Sequence, residues 1–247
     1  MSELEYEKSG HRATFTFNRP AQRNALNMRT WRLLEEAVLD FDDDPDMRVG
    51  IVTGSGDTFC AGRDLTELAA MAASGQEAPV VPAELREVFS RSPKPFVAAV
   101  NGPAVGGGFE RAIDCDFRVA ASGAWFSLPE PRHGLVAAYA VHHLVRIVPF
   151  GEAMRLLLTG NRITAAEALR IGLVQEVTDA GTLLARAEEL ADQVASAAPQ
   201  AIALTKRLAM VWRWVGLERS HALLAEGEPA LDADRRAGLA AWAGRPR

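Results

Sequence analysis

The stretch that decides the fold is Phe96-Val97-Ala98-Ala99-Val100, followed shortly by Gly106-Gly107-Gly108-Phe109-Glu110. The apolar run predicts a buried strand, and the glycines predict a tight turn into a helix. Because glycine has no Cβ, the N–H groups of this turn are open to a ligand, and Glu110 falls on the first turn of the helix. Backbone donors beside a carboxylate suit a reaction in which negative charge builds on an oxygen while a proton moves nearby. A tight turn without chemistry is the alternative interpretation.

Two familiar glycine motifs do not fit this turn. A phosphate-binding loop requires Lys-Ser or Lys-Thr after its last glycine, where this chain has Phe109-Glu110. A dinucleotide-binding fingerprint requires a glycine where this chain has Arg111. The turn therefore predicts neither a nucleotide nor a dinucleotide cofactor.

Composition excludes several classes of protein. The 247 residues carry a net charge of −5 and no concentrated basic stripe, which argues against nucleic acid as a partner. No run approaches the roughly 18 apolar residues of a membrane-spanning helix, and residues 1–5 are acidic and lack an apolar signal core. We therefore expect a cytoplasmic protein without a membrane partner.

The cysteines and histidines predict no metal site and no thiol nucleophile. Cys60 and Cys115 form no Cys-x-x-Cys pair and suit a reducing compartment. Since no histidine lies near Cys60 in the sequence, we interpret it as a small packing residue. The five histidines lack the spacing of a helical zinc site, and a Gly-x-Ser-x-Gly nucleophile elbow is absent.

Periodicity predicts an α/β core followed by a helical region. A strand pair is expected over residues 3–17 and a helix over 28–42, with Asn27 as its N-cap. Strands and helices alternate to about residue 135. Helical periodicity then dominates, first over 137–148 and finally over 217–226 and 231–242.

Two further segments carry candidate residues for the site. In Phe59-Cys60-Ala61-Gly62-Arg63-Asp64-Leu65 an apolar start leads into a small-residue turn, and Asp64 is placed as the N-cap of a helix. Two such turns on neighbouring strands could aim two N–H donors at one oxygen. In the second segment Glu130 lies between Pro129 and Pro131, which fix φ on both sides of it. It is either an exposed loop residue or a second carboxylate beside the glycine turn.

An ordered set of motifs resembles the crotonase superfamily, also called the enoyl-CoA hydratase/isomerase family. Order and spacing match over about residues 4–180. The motifs that carry the resemblance are Asn18-Arg19-Pro20, Asn24-Ala25-Leu26, residues 59–65, residues 99–108, Cys115-Asp116, Leu128-Pro129-Glu130, Leu158-Thr159-Gly160, Ala165-Ala166-Glu167-Ala168 and Gly172-Leu173-Val174. The resemblance implies a spiral of ββα units over residues 1–190 that holds an acyl-CoA site. It also implies a helical trimerisation region over 191–247, and trimers that are often paired into hexamers.

The resemblance also implies an acyl-CoA thioester substrate and assigns roles to residues. The backbone N–H groups of Ala61 and Gly107 match the oxyanion hole, which holds the thioester oxygen. Glu110 matches the acid that orients and deprotonates water for addition at the β-carbon, and Glu130 the acid that protonates the α-carbon. The residues that match coenzyme A contacts are Arg23, Ala25, Leu26, Gly62, Asp64 and Leu65. For Arg23, a solvated loop residue is the alternative interpretation. Coenzyme A would enter as part of the substrate, so no separate cofactor is expected.

The chain departs from the family pattern after Gly134-Leu135-Val136. Hydratases usually carry a proline and a glycine-rich turn there, whereas residues 137–143 of this chain prefer helix. The acyl pocket is therefore expected to be reshaped, with Tyr139 either in the core or as a polar group over the substrate. Arg111 and Asp114 are unusually charged for their helix, and their i, i+3 spacing predicts a local ion pair.

Hydration of a 2-enoyl-CoA, or the reverse dehydration, is the function that the pair of glutamates favours. Another reaction on the same scaffold is the nearest alternative: double-bond isomerisation, thioester hydrolysis or C–C cleavage. The altered 137–143 segment favours that alternative. A non-catalytic binding protein on this fold is a third hypothesis, which the donors and both carboxylates disfavour.

Overall fold

The computed structural model describes residues 2–77 and 81–214 together with Ala240. The strands within these residues are β1 (Leu4–Ser9), β2 (Arg12–Phe17), β3 (Val49–Gly54), β4 (Phe96–Val100), β5 (Ala104–Val105), β6 (Phe117–Ala121), β7 (Trp125–Ser127), β8 (Ile163–Thr164) and β9 (Glu176–Thr178). The helices are α1 (Met28–Asp43), α2 (Leu65–Ala73), α3 (Ala83–Arg86), α4 (Val88–Arg91), α5 (Gly107–Asp114), α6 (Ala140–His143), α7 (Phe150–Thr159), α8 (Ala165–Arg170), α9 (Leu183–Ala195) and α10 (Pro199–Trp214).

The described strands form two sheets, one of six strands in the order β1-β2-β3-β4-β6-β9 and one of three in the order β5-β7-β8. The hairpin β1–β2 is antiparallel, and every other pair in the larger sheet is parallel. Parallel pairing requires long crossovers, which the helices supply. The predicted strand pair and the α/β class are confirmed.

Phenylalanines fill the core beneath α1 and α4. The Phe96 ring lies 5.5 Å from Phe15, 5.2 Å from Phe41 and 4.7 Å from Phe89 between centroids. All of these side chains are fully buried. Strand β4 is buried along its whole length because side chains cover both of its faces, as the continuous apolar run predicts. The chain segment that follows β4 and contains the glycine turn therefore starts from a fixed position.

Two helices begin at the N-cap residues that the sequence predicts. The Asn27 side chain accepts the Thr30 N–H at 2.7 Å and starts α1, and Asp64 accepts the N–H groups of Thr66 and Glu67 and starts α2. Both predicted caps are confirmed, and each satisfies N–H groups that a helix leaves without an internal acceptor.

The predicted helix over 137–148 is wrong in its first part. Helix α6 spans only Ala140–His143, and a 3-10 turn, Leu144–Arg146, follows it. The N–H groups of Tyr139 and Ala140 donate to Glu110 rather than to carbonyls of a preceding turn. A tertiary acceptor therefore overrides the helical preference of this segment.

The predicted domain boundary after residue 190 falls inside α9, so the core extends further than expected. Ala187, Ala191 and Ala195 of that helix are buried in one continuous core, and α9 packs on β3 and β4. Helix α10 is also anchored, because Lys206 donates to the carbonyls of Phe89 and Lys94. The predicted helices over 217–226 and 231–242 lie outside the described residues, except for Ala240. No described helix combines the length and apolarity that crossing a membrane requires.

Candidate active site

Two small-residue turns lie side by side at the end of β4. The Cys60 N–H donates to the Pro103 carbonyl at 3.1 Å, and the Val105 N–H donates to the Cys60 carbonyl at 3.0 Å. These bonds tie residues 59–64 to the start of β5, directly before the triple glycine. The two turns singled out in the sequence are therefore neighbours in space.

Only glycine permits so close an approach of the two turns. A Cβ on Gly108 would lie 2.1 Å from the Cys60 carbonyl oxygen, well inside contact distance. A Cβ on Gly62, whose φ is +87°, would lie 2.6 Å from the Val105 oxygen and 2.9 Å from the Gly107 nitrogen. The glycines therefore allow the two backbones to pack directly against each other, and they also leave N–H groups open to a ligand.

The prediction that the Ala61 N–H faces the substrate is wrong. That N–H donates to the Arg23 carbonyl at 2.9 Å and so helps to hold the two loops together. A donor already engaged by a backbone carbonyl is not aimed at a ligand oxygen.

The N–H of Arg63 lies on the opposite side of its peptide from Leu26, and its nitrogen is near Gly107. The Gly62 carbonyl accepts the Leu26 N–H at 2.7 Å. Because a trans peptide directs its C=O and N–H to opposite sides, the Arg63 N–H points away from Leu26. A Cβ on Gly107 would lie 3.6 Å from the Arg63 nitrogen, so the two residues are in contact distance. The sequence carries no signal for this choice, since the orientation of the peptide depends on Leu26.

Glu110 is held on α5 by two backbone donors from another segment. Its Oε1 accepts the N–H of Tyr139 and the N–H of Ala140, both at 3.0 Å. The residue is buried, and its own N–H bonds to the Gly106 carbonyl at 3.0 Å in the first turn of the helix. Two hydrogen bonds to one carboxylate oxygen fix the position of the carboxyl group. Sequence reasoning missed the Ala140 contribution because it expected a continuous helix there.

Glu130 begins a short 3-10 turn, Glu130–His133, in which Pro131 occupies a position that needs no N–H. Its Oε1 lies against Gly106, where a Cβ would stand 2.8 Å away. Its Oε2 is buried and has no hydrogen-bond partner among the described residues. Burial first, and then the nearby Glu110 charge, raise the pKa of Glu130 to about 8.

The two acids therefore differ in environment. Glu130 has a buried carboxyl oxygen without a hydrogen-bond partner among the described residues, whereas Glu110 accepts two backbone N–H groups. A pair of carboxyl groups in different environments can act as acid and base in one turnover. Both lie beside the glycine turn, as the sequence predicts.

The residues predicted to bind coenzyme A fall into two groups. Arg23 is exposed, with φ of 52°, and Leu65 is half-buried. Ala25, Gly62 and Asp64 are buried.

Leu26 lies in the core between the two loops. Its side chain is 1% exposed, its N–H donates to Gly62, and its carbonyl accepts the Asp64 N–H. Its contact with coenzyme A stays a prediction.

Asp64 borders a cavity of about 620 Å³ that is lined by Arg19, Gln22, Asn27, Asp64, Thr66, Glu67 and Ala70. Besides capping α2, its carboxylate pairs with Arg19 at 2.9 Å. The capping interpretation accounts for its burial, and the cavity leaves it accessible from one side.

Tyr139 is a core residue whose hydroxyl is not over the glycine turn. The hydroxyl donates to Asp114 Oδ1 at 2.8 Å, and the residue is 3% exposed. The hypothesis of a hydroxyl over the substrate is therefore wrong. The predicted Arg111–Asp114 ion pair is confirmed at 3.1 Å, with both side chains fully buried. Burial also raises the pKa of the Cys60 thiol to about 12, which agrees with a packing role.

In an α/β protein, a triple-glycine turn with two carboxyl groups beside it is a candidate site for acid–base chemistry. The sequence profile of the enoyl-CoA hydratase/isomerase family matches residues 7–215. The chain belongs to this family, the crotonase superfamily, and so stands among enoyl-CoA hydratase-like enzymes.

Named relatives are similar over most of their length. The chain is 38% identical to the (E)-benzylidenesuccinyl-CoA hydratase of Thauera aromatica, over 88% of this chain and 85% of the relative. It is 40% identical to the carnitinyl-CoA dehydratase of Salmonella arizonae, over 92% of this chain and 88% of the relative. The crystal structure of carnitinyl-CoA hydratase from Mycobacterium avium superposes with a TM-score of 0.88, at 32% identity, and covers 98% of this chain and 96% of that one.

Proposed function

We propose that this protein adds water to a 2-enoyl-CoA thioester and removes water from the corresponding 3-hydroxyacyl-CoA. The observation that carries the proposal is the unequal pair of acids beside the glycine turn. Glu130 holds a proton at neutral pH because its carboxyl is buried. Glu110 accepts two N–H groups through one oxygen and keeps the other for a water molecule.

In the hydration direction Glu110 is the base and Glu130 the acid. Glu110 takes a proton from water as the water oxygen bonds to the β-carbon. Electrons of the C=C bond shift toward the thioester carbonyl, and Glu130 gives its proton to the α-carbon. Water is thereby added across the double bond, and proton exchange with solvent returns each acid to its starting state.

The developing enolate oxygen is held by backbone N–H groups. The proposed donors are the N–H groups of Gly107 and Arg63, because the Arg63 N–H lies on the side of its peptide away from Leu26 and its nitrogen is near Gly107. A single donor of this kind is typically worth about 3–4 kcal/mol of barrier, and two donors on one oxygen are not additive.

Coenzyme A is proposed to follow the loop that contains Arg23 and Ala25, with Arg23 near its phosphates. The adenine is proposed to lie by Gly62, Asp64 and Leu65. The adjoining cavity, lined by Asp64 and Glu67, supports this placement. Its acids suit the amino group of adenine and disfavour phosphates.

The 137–143 segment supports hydration over the other reactions of the scaffold. Its departure from the family pattern is the reason to consider an isomerase, a thioester hydrolase or a C–C lyase. In the structure this segment donates two N–H groups to Glu110. Although residues 137–143 depart from the family pattern, their backbone therefore still holds Glu110, the acid that hydration requires.

The experiment that tests the proposal compares Glu110→Gln and Glu130→Gln with the wild-type protein. The assay follows hydration of crotonyl-CoA, of longer and branched enoyl-CoAs and of (E)-benzylidenesuccinyl-CoA, and dehydration of carnitinyl-CoA. Each variant should lose turnover by about 10²–10⁴-fold, the usual contribution of a positioned acid or base. Acyl-CoA affinity, measured by calorimetry, should survive. Full turnover in both variants would refute the two-acid mechanism.

Assembly into a trimer, or a pair of trimers, is proposed from exposed apolar residues. Phe150 and Leu158 on α7 are 67% and 66% exposed, and Leu204 and Leu208 on α10 are 52% and 61% exposed. Each pair recurs on one side of its helix. Burial between subunits would remove this apolar surface from water.

A further inference from the structure

Tyr139 joins two acids that stand one turn apart on α5. Its backbone N–H donates to Glu110 Oε1 at 3.0 Å, and its hydroxyl donates to Asp114 Oδ1 at 2.8 Å. Residues four apart on a helix share a face, so both contacts fall on the same side of α5. Tyr139 is therefore fixed to this helix at two points, one of which is the proposed base.

Asp114 is a rigid anchor for the hydroxyl. Its carboxylate accepts the N–H of Phe89 at 2.9 Å and the N–H of Ser90 at 3.2 Å, and it pairs with Arg111 at 3.1 Å. Asp114 and Arg111 are fully buried. Because these donors hold the Asp114 carboxylate in place, the carboxylate in turn fixes the position of the Tyr139 hydroxyl.

The Tyr139 ring is confined as well. It stacks on His143 with centroids 3.8 Å apart and planes 12° apart, and the Arg111 guanidinium carbon lies 5.4 Å from its centre. Ring and hydroxyl together determine where the backbone of residues 139 and 140 stands. That backbone carries both N–H groups that hold Glu110.

We propose that Tyr139, anchored on Asp114, is a positioning residue for Glu110. The inference rests on the proposed function, in which Glu110 activates water. The hydroxyl keeps the two N–H groups on Oε1, so that Oε2 meets the water in a fixed direction. A misplacement of about 1 Å at a reacting group can cost about 10²-fold in rate. Tyr139 touches no reacting atom and acts only through Glu110.

The test is Tyr139→Phe, which removes one oxygen and keeps the ring on His143. The other tyrosine with a comparable bond supplies the control: the Tyr6 hydroxyl donates to Asp40 Oδ2 at 2.9 Å on the surface. With crotonyl-CoA, or the thioester of the panel that is hydrated fastest, Tyr139→Phe should lower kcat by about 10–100-fold. KM should stay within about twofold of wild type, since only the base is displaced. Tyr6→Phe should match the wild type.

A double-mutant cycle separates positioning from general loss of structure. In the Glu110→Gln background, Tyr139→Phe should cause no further loss, because the group it positions is already disabled. An equal loss in both backgrounds, or an unchanged kcat in the single variant, would overturn the inference. Full turnover of Glu110→Gln alone would instead refute the proposed function.

A second variant covers the case in which Tyr139→Phe does not fold. Asp114→Asn keeps an oxygen for the hydroxyl but makes the bond a neutral one, which is about half as strong. Its kcat should fall below that of wild type by up to about tenfold, again only when Glu110 is present. A loss that persists in the Glu110→Gln background would count against positioning.

Discussion

The carboxyl of Glu130 lies directly on Gly106, so that a Cβ on Gly106 would stand 2.8 Å from Oε1. Gly106 has φ of +53° and ψ of −125°, a conformation that side chains disfavour. The absence of a side chain lets the acid settle against the glycine turn, away from water. The same burial is the main reason that the pKa of Glu130 rises to about 8.

The first prediction concerns stability and pH. The folded state keeps the Glu130 proton up to about pH 8, whereas the unfolded chain loses it near 4.5. The contribution of Glu130 to the free energy of unfolding is therefore fully present below pH 4.5 and is lost as pH rises to about 8. Glu130→Gln, which stays neutral, should remove this decline. The measurement is the urea midpoint of both proteins at pH 5, 6, 7 and 8.

Glu67→Gln is a useful control for the urea series, because it replaces a half-buried acid outside the pair. The difference between Glu130→Gln and wild type should grow with pH, and the Glu67→Gln difference should not follow it. A gap that stays constant from pH 5 to 8 would contradict a raised pKa of Glu130.

The second prediction concerns the pH dependence of turnover. Hydration needs Glu130 protonated, so kcat/KM should fall as pH rises through the Glu130 pKa near 8. Dehydration starts with the proton on Glu110 rather than on Glu130, but the pair holds the same single proton. Both directions should therefore lose activity on the same alkaline limb. Stopped assays of hydration and of dehydration from pH 6 to 9 measure this alkaline fall in activity. A fall in only one direction would refute the idea that the two acids share one proton.

Local sequence was enough to predict the parts of the site that depend on neighbouring residues. At three places the geometry follows from residues only a few positions apart. These are the glycine run beside Glu110, the prolines around Glu130, and the caps at Asn27 and Asp64. The rest of the fold was predicted from the resemblance of the ordered motifs to the crotonase superfamily. The catalytic roles of both glutamates stay predictions that the assays above examine.

Other parts depended on contacts between distant segments. The orientations of the peptides at Ala61 and Arg63 are set by hydrogen bonds to Arg23 and Leu26, which lie in a distant segment. Sequence spacing cannot show which way a peptide turns. The helix predicted from residue 137 likewise begins late because Glu110, far away in the sequence, captures two of its N–H groups.

The third prediction concerns assembly. Leu208→Glu places a charge on the exposed apolar side of α10, where the leucine is 61% exposed. If this side is covered by another subunit, the variant should have a smaller mass than wild type in light scattering after gel filtration, because an unpaired buried charge is costly. Leu39→Glu, which replaces a leucine on α1 that is 59% exposed, is the matched control. Wild-type mass in the Leu208→Glu variant would show that α10 is not the interface.

The fourth prediction tests the contact between the two turns through Gly108. An alanine Cβ at this position would lie 2.1 Å from the Cys60 carbonyl oxygen, so the backbone of one turn has to move. Overpacking of this kind costs about 1–3 kcal/mol of stability, and Gly108→Ala should unfold at correspondingly lower urea. Because the movement separates Gly107 from Arg63, kcat should also fall by more than tenfold while the fold persists. Gly151→Ala is the control, since its Cβ would meet nothing within 4 Å, and on α7 it should gain up to about 1 kcal/mol from helix propensity. If Gly108→Ala matched Gly151→Ala in stability and in turnover, close contact between the turns would not be what organises the site.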